Sequence, residues 1–242
     1  MKILAILLFH LVLISFVTGQ TVSKQGSLIY KVSRGENTRV FNLYFNSQES
    51  MFVLDNKHII TTSGTLKSVL KKNKVSDNYV LKDYQTMTMQ SKEFLKNNQS
   101  CRVNDSLPKL NWKLLSETKE IAGFKCQKAT TYFRCAEYTA WFASAIPVEI
   151  GPWKIGGLPG LILELTNETV QEKYTIFLIE YPARKDIKPM LALGTSNDRN
   201  FSSYEDFAKV QREEVKKLVM FIKSQGDTPP DAEVKFDERE CY

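Results

Sequence analysis

Histidine is almost absent from this sequence: two occur in 242 residues, and only His58 lies beyond position 19. Any Ser-His-Asp or Cys-His catalytic unit would have to use that one imidazole, yet there is no G-x-S-x-G elbow and no cysteine with catalytic flanks. Missing too are a C-x-x-C pair, an H-E-x-x-H helix and a P-loop, and Gly156-Gly157-x-x-Gly160 carries Pro159 with no helical pattern after it, so phosphate cradling is not expected. Beyond residue 19 no apolar run is long enough to cross a membrane. Basic residues outnumber acidic ones, 33 to 27, but they are spread through mixed-sign sequence. The densest patch, Lys67 to Lys74, reads as a solvated turn or helix end, so nucleic acid is not an expected partner, although weak attraction to anionic lipid headgroups is allowed.

What is present first is an export signal. Residues 1–19 have Lys2 near the start, an apolar core from Ile3 to Val17 and a small residue at Gly19, the pattern of a cleaved signal peptide. No cysteine sits at the cleavage position, so no lipid anchor is expected. The expected location is periplasm or secreted. All four cysteines, Cys101, Cys126, Cys135 and Cys241, survive export into a compartment that permits disulfides, and all are disulfide candidates. If Cys126 and Cys135 share one strand, nine steps set them about 30 Å apart, against the roughly 7 Å a bridge tolerates. That leaves Cys101 and Cys241 as available partners, with the pairing open.

Alternation of apolar and polar residues then predicts strands along most of the chain. Ser27 to Ser33 and Thr38 to Asn46 read as a hairpin, and Met51 to Leu54, Tyr79 to Tyr84 and Thr86 to Gln90 continue a meander. Residues 55–78 read as loop with one short helix, and Glu93 to Arg102 as an exposed connection or strand. Trp112 to Lys119 and Phe124 to Phe133 flank an Ala122-Gly123 turn, and Tyr174 to Tyr181 is the last clear strand. Near the end the period changes: Ser203 approximates an N-cap, Phe207, Val210, Val215, Leu218, Val219 and Ile222 recur at helical spacing, and Gly226 is a stop. The expectation is a mainly β chain with a C-terminal helix (α+β), residues 20–226 forming one domain, the helix at about 203–225, and 227–242 a polar tail. Its apolar stripe should be covered by the open face of the sheet. A strongly curved antiparallel sheet, a half-barrel like that of lipoprotein carriers, is the expected architecture.

Residues 141–165, WFASAIPVEIGPWKIGGLPGLILEL, hold two of the three Trp, three of the eight Pro and four of the eleven Gly, so this is the most constrained segment. Ile146-Pro147, Gly151-Pro152 and Leu158-Pro159-Gly160 should be rigid corners, the last with Pro159-Gly160 at the centre of a type II turn. Gly157 to Ile162 spells GLPGLI, and on this signature the chain resembles the GLPGLI family of exported proteins from Bacteroidetes-type bacteria. Trp112 to Ala129, Ala140-Trp141-Phe142, Ile146-Pro147 and Gly151 to Lys154 match as well, over roughly residues 110–180. Cys135-Ala136 departs from the Gly-Arg usual before the Tyr-x-Ala-Trp segment. The resemblance implies export and brings no established activity.

Three functional expectations follow from the residues. The leading one is a non-catalytic binding module in the cell envelope whose aromatic loop, with Trp141, Pro152, Trp153, Leu158 and Pro159, takes a lipid or other apolar ligand, or an envelope protein. A second is a hydrolase using Glu149 and Glu164, which flank the signature loop. The third is Cu(I) binding through Met87 and Met89 on one strand face, with Met51 or His58. No cofactor is expected.

Overall fold

The computed structural model describes residues 24–55, 58–61, 65–68, 78–183 and 198–224; the leader, Cys241 and the tail at 227–242 lie outside them. Among the described residues are β1 (Gly26–Arg34), β2 (Asn37–Phe45), β3 (Glu49–Leu54), β4 (His58–Ile60), β5 (Leu66–Ser68), β6 (Tyr79–Asp83), β7 (Thr88–Phe94), β8 (Ser100–Ser106), β9 (Lys113–Ile121), β10 (Phe124–Phe133), β11 (Ala136–Ala143), β12 (Leu161–Asn167), β13 (Glu172–Glu180), β14 (Arg199–Phe201) and α1 (Tyr204–Ser224). The protein is mainly β with one C-terminal helix.

Twelve strands form one open sheet in the order β14-β8-β7-β6-β3-β2-β1-β13-β12-β11-β10-β9, while β4 and β5 pair separately. Within the stretch 55–78, expected as loop with one short helix, the described residues form a small hairpin, and the remainder lies outside the described residues. Neighbours are antiparallel except β14, which runs parallel to β8. The centre of the sheet joins distant segments: β1 lies between its hairpin partner β2 and β13, with Ile29 opposite Leu178.

Leu28, Tyr30 and Val32 on β1, Leu43 and Phe45 on β2, and Tyr138, Ala140 and Phe142 on β11 face one buried core. Over this inner face lies the segment 144–160. Its first half alternates, with Ile146, Val148 and Ile150 buried and Pro147 and Glu149 exposed, and Ile155 and Leu158 complete the cover. A covered loop must find donors for its carbonyls. Lys82 on β6 donates to Ile155 O at 2.7 Å and, more weakly, to Gly151 O at 3.4 Å. Trp112 Nε1 donates to Gly156 O at 2.9 Å, and Tyr30 OH to Ile162 O at 2.5 Å.

The signature turn differs from expectation in one respect. Positive φ falls on Gly157 (81°) and not on Gly160. Gly160 is required for space, since a Cβ there would collide with the main chain of Ala143.

The helix does not cover the sheet's open face. Tyr204, Phe207 and Ala208 pack with Leu95, Cys101, Val103 and Phe201 in a second, smaller core at the β8–β14 edge. The reason is occupancy: the inner face already carries the 144–160 segment, which leaves the helix an edge. Its distal stripe, with Leu218 and Ile222, is exposed. The helix start is as expected, Asp206 N donating to Ser203 Oγ at 3.1 Å.

Candidate functional site

Where the ends of β1, β2 and β13 meet the start of β6, the inner face opens into a cleft of about 470 Å³. Its size falls within the few hundred Å³ usual for small-ligand sites. Hairpin geometry sets one wall. Gly35 takes positive φ (56°) in the turn between β1 and β2, and the register Val32↔Arg39 and Arg34↔Asn37 then points Arg34 and Arg39 toward the same face as Tyr30 and Phe41. The floor is aromatic: Phe41 stacks on Phe52 with centroids 4.7 Å apart, and Tyr174 lies 6.1 Å from Phe52. Tyr79, Asn78 and Val80 close the β6 side.

The opposite wall comes from the covering segment. Trp153 reaches the cleft from its middle, stacked at 6.2 Å on buried Tyr138 and edge-on at 6.3 Å to Phe133. Its backbone has φ 52°, a region bulky residues rarely occupy, so the surroundings hold it there. Lys154 beside it is nearly fully buried and pairs with Glu93 at 3.0 Å, pinning this part of the segment to β7. On β13 the buried carboxylate of Glu172 accepts the Tyr174 hydroxyl at 2.6 Å.

Of the five expected binding residues only Trp153 lines this cleft. Pro152 is buried, Leu158 belongs to the core, Pro159 is exposed, and half-buried Trp141 lies under Lys119 Nζ, 4.3 Å from its centroid. Sequence reasoning missed Arg34, Asn37, Arg39, Phe41, Phe52, Asn78, Tyr79, Glu172 and Tyr174. One signal was available: in TRVFNLYFN the charge of Arg39 shares its alternate face with Phe41, Leu43 and Phe45, an inward position with no core reason for a guanidinium.

The other expectations fare differently. Both oxygens of Glu164 are taken by ammonium groups, Lys119 at 2.7 Å and Lys173 at 3.1 Å, while Glu149 is exposed. Met87 is exposed at φ 55° in the turn before β7 whereas Met89 is buried, so the two share no strand face. His58 donates or accepts through Nδ1 with Asp55 at 2.8 Å. Cys101 and Cys126 are free, buried thiols, which removes both from the disulfide candidates; Cys135 is disulfide-bonded, and neither of them is its partner. Among the described residues no helix is long and apolar enough to cross a membrane.

Fold and cleft together define a β-sheet domain with an aromatic cleft rimmed by arginine and amide side chains. The sequence matches the family described as N-glycanase peptide, N-terminal domain, over residues 32–204, more than half of the chain, and the protein belongs to that family. This overturns the assignment drawn from the GLPGLI hexapeptide. Among solved structures the chain is similar to that of PNGF-II in a C2 crystal, with a TM-score of 0.52 and 18% identity over 75% of this chain and 32% of that one. A P21 crystal of PNGF-II gives 0.52 and 17%, covering 76% and 33%. The chain thus spans about a third of the length of these solved chains, and the likeness concerns the fold. No significant match is found among curated proteins.

Proposed function

We propose that this protein is an exported glycan-recognition module that holds an oligosaccharide in the cleft between Trp153 and the β1–β2 hairpin. The observation that carries the reading is the composition of that cleft: half-buried Trp153 reaches it above a floor backed by buried Phe41, Phe52, Tyr79 and Tyr174, and Arg34, Asn37, Arg39, Asn78 and Glu172 bring polar groups to its lining. Sugar rings present C–H faces and hydroxyl edges together, and such a wall answers both. A rim of guanidinium and amide groups suits hydroxyls better than hydrocarbon, so the lipid version of the expectation gives way to a saccharide. The family description, which names N-glycanases, supports a glycan attached to protein as the natural ligand.

Binding without cleavage is the second part of the proposal. Acid–base hydrolysis of a glycosidic bond uses two carboxyl groups, and Glu172, the one carboxylate among the described cleft residues, already accepts a tyrosine hydroxyl. Export through the leader at 1–19 and a single domain over 20–226 belong to the same reading. So does a strongly curved, carrier-like sheet, supported by Arg134 in the β10–β11 turn meeting Asp105 on β8, far along the strand order.

Calorimetric titration of the mature chain with a panel of oligosaccharides released from glycoproteins tests the proposal. Binding that is weakened at least about tenfold by Trp153→Ala and by Tyr174→Ala is expected, each removing a ring contact of a kilocalorie or more. Heat from no member of the panel, or binding indifferent to both substitutions, rejects it.

A further inference from the structure

We infer that the cleft selects oligosaccharides bearing a carboxylate on a sugar, with Arg39 as the group that reads it. This rests on the glycan-recognition reading and adds a ligand class to it.

The charges that face the cleft are Arg34, Arg39 and Glu172. Glu172 lies opposite Arg34 in the β1–β13 register and is buried with its hydroxyl donor Tyr174, so its charge sits low in the site beside an opposing guanidinium. Arg39 stands one diagonal step away, opposite Val32, and its side chain is exposed at the mouth. No ion pair engages it among the described residues. Among the described residues the rim therefore carries one uncompensated positive charge, two guanidiniums against one carboxylate.

Placement makes that charge more than a solvated surface group. Arg39 occupies the inward alternate position of β2, two residues from Phe41 in the aromatic floor, and lines the same cleft as Trp153. A guanidinium presents a planar fork of donors that matches a carboxylate in two parallel hydrogen bonds. A sugar whose ring rests on the aromatic floor or on Trp153 can direct a ring carboxylate to that fork while its hydroxyls meet Asn37 and Asn78. At the exposed mouth the pairing stays open to solvent and is screened by salt.

Matched ligand pairs separate this inference from its foundation. Sialyllactose is titrated against lactose, and a glucuronate-terminated disaccharide against its glucose-terminated counterpart, at low and high salt. In each pair the acidic member should bind about tenfold more tightly, as expected for hydrogen bonds to a charged partner, and the ratio should shrink with salt. Arg39→Gln should bring the ratio to within about twofold of unity, whereas Arg39→Lys, which keeps the charge and loses the fork, should retain only part of it. Equal binding of acidic and neutral members by the wild type overturns the inference and leaves glycan recognition standing, as does a preference that survives Arg39→Gln. Failure of every saccharide to bind overturns both.

Discussion

Lys82 on β6 and Ile155 in the segment covering the sheet are joined by a 2.7 Å hydrogen bond from the ammonium to the main-chain carbonyl. The lysine is buried, and its partners, Ile155 O and Gly151 O, are neutral. Burial without a counter-charge pushes its pKa down from 10.5 to about 7.

A pH dependence follows. Between about 7 and 10.5 the unfolded chain holds a proton on this lysine that the folded chain has released, so stability rises with pH across that window. Below the folded value both states are protonated and the burial penalty is fully present. The expected slope is at most about 1.4 kcal/mol per pH unit. Urea unfolding at a series of pH values should show this slope in the wild type and lose it in Lys82→Met, which also forfeits about 1–3 kcal/mol at the upper end by orphaning two carbonyls. An unchanged slope in the variant would assign the effect to other groups.

Gly160→Ala should be among the most damaging substitutions in the signature turn. The added methyl meets Ala143 O and C and Ser144 N, all main-chain atoms that cannot swing aside. A loss of about 3 kcal/mol or more is expected from this overpacking, read as a large drop in melting temperature. Gly157→Ala, strained by its φ of 81° but with open space around it, should cost only about 1 kcal/mol.

Arg134 ties the far end of the sheet to the helix. It pairs with Asp105 on β8 and lies 3.5 Å from the centroid of Tyr204, the first residue of α1. Arg134→Ala should lower stability by about 2 kcal/mol, since a half-buried carboxylate loses its partner and a tyrosine loses a cation. Amide exchange in the first turns of α1 should accelerate, while exchange in β1 and β2 should not.

Neither free thiol should react in the native protein. Cys101 and Cys126 are buried, and desolvation holds both above the usual thiol range, Cys126 at about 11. Iodoacetamide at pH 8 should label neither until denaturant is added, after which both label. Prompt native labelling of Cys126 would contradict its burial on β10.

Local pattern carried the elements well. The hairpin expected at 27–33 and 38–46 is β1 and β2, the helix expected at about 203–225 spans Tyr204–Ser224, and the strands around Ala122-Gly123 are β9 and β10. Alternation reports which side chains share a face, and that is a local property. It does not report which strands are neighbours, so the placement of β1 against β13, which creates the cleft by setting Arg34 opposite Glu172, was not legible. Trp153 could be singled out by its rigid surroundings, but its partners come from β1, β2, β3, β6 and β13. The GLPGLI hexapeptide misled for a related reason. Its residues serve packing: Leu158, Leu161 and Ile162 fill the core and Gly160 permits contact with Ala143, a local solution that does not by itself fix the family.

Because β1 is flanked on one side by a strand that emerges from the ribosome long after it, the nascent chain carries an unpaired edge through most of its synthesis. Non-local closure of this kind is slow, and exposed edges are prone to self-association. A chain made this way assembles its centre last, when Leu178 finally reaches Ile29.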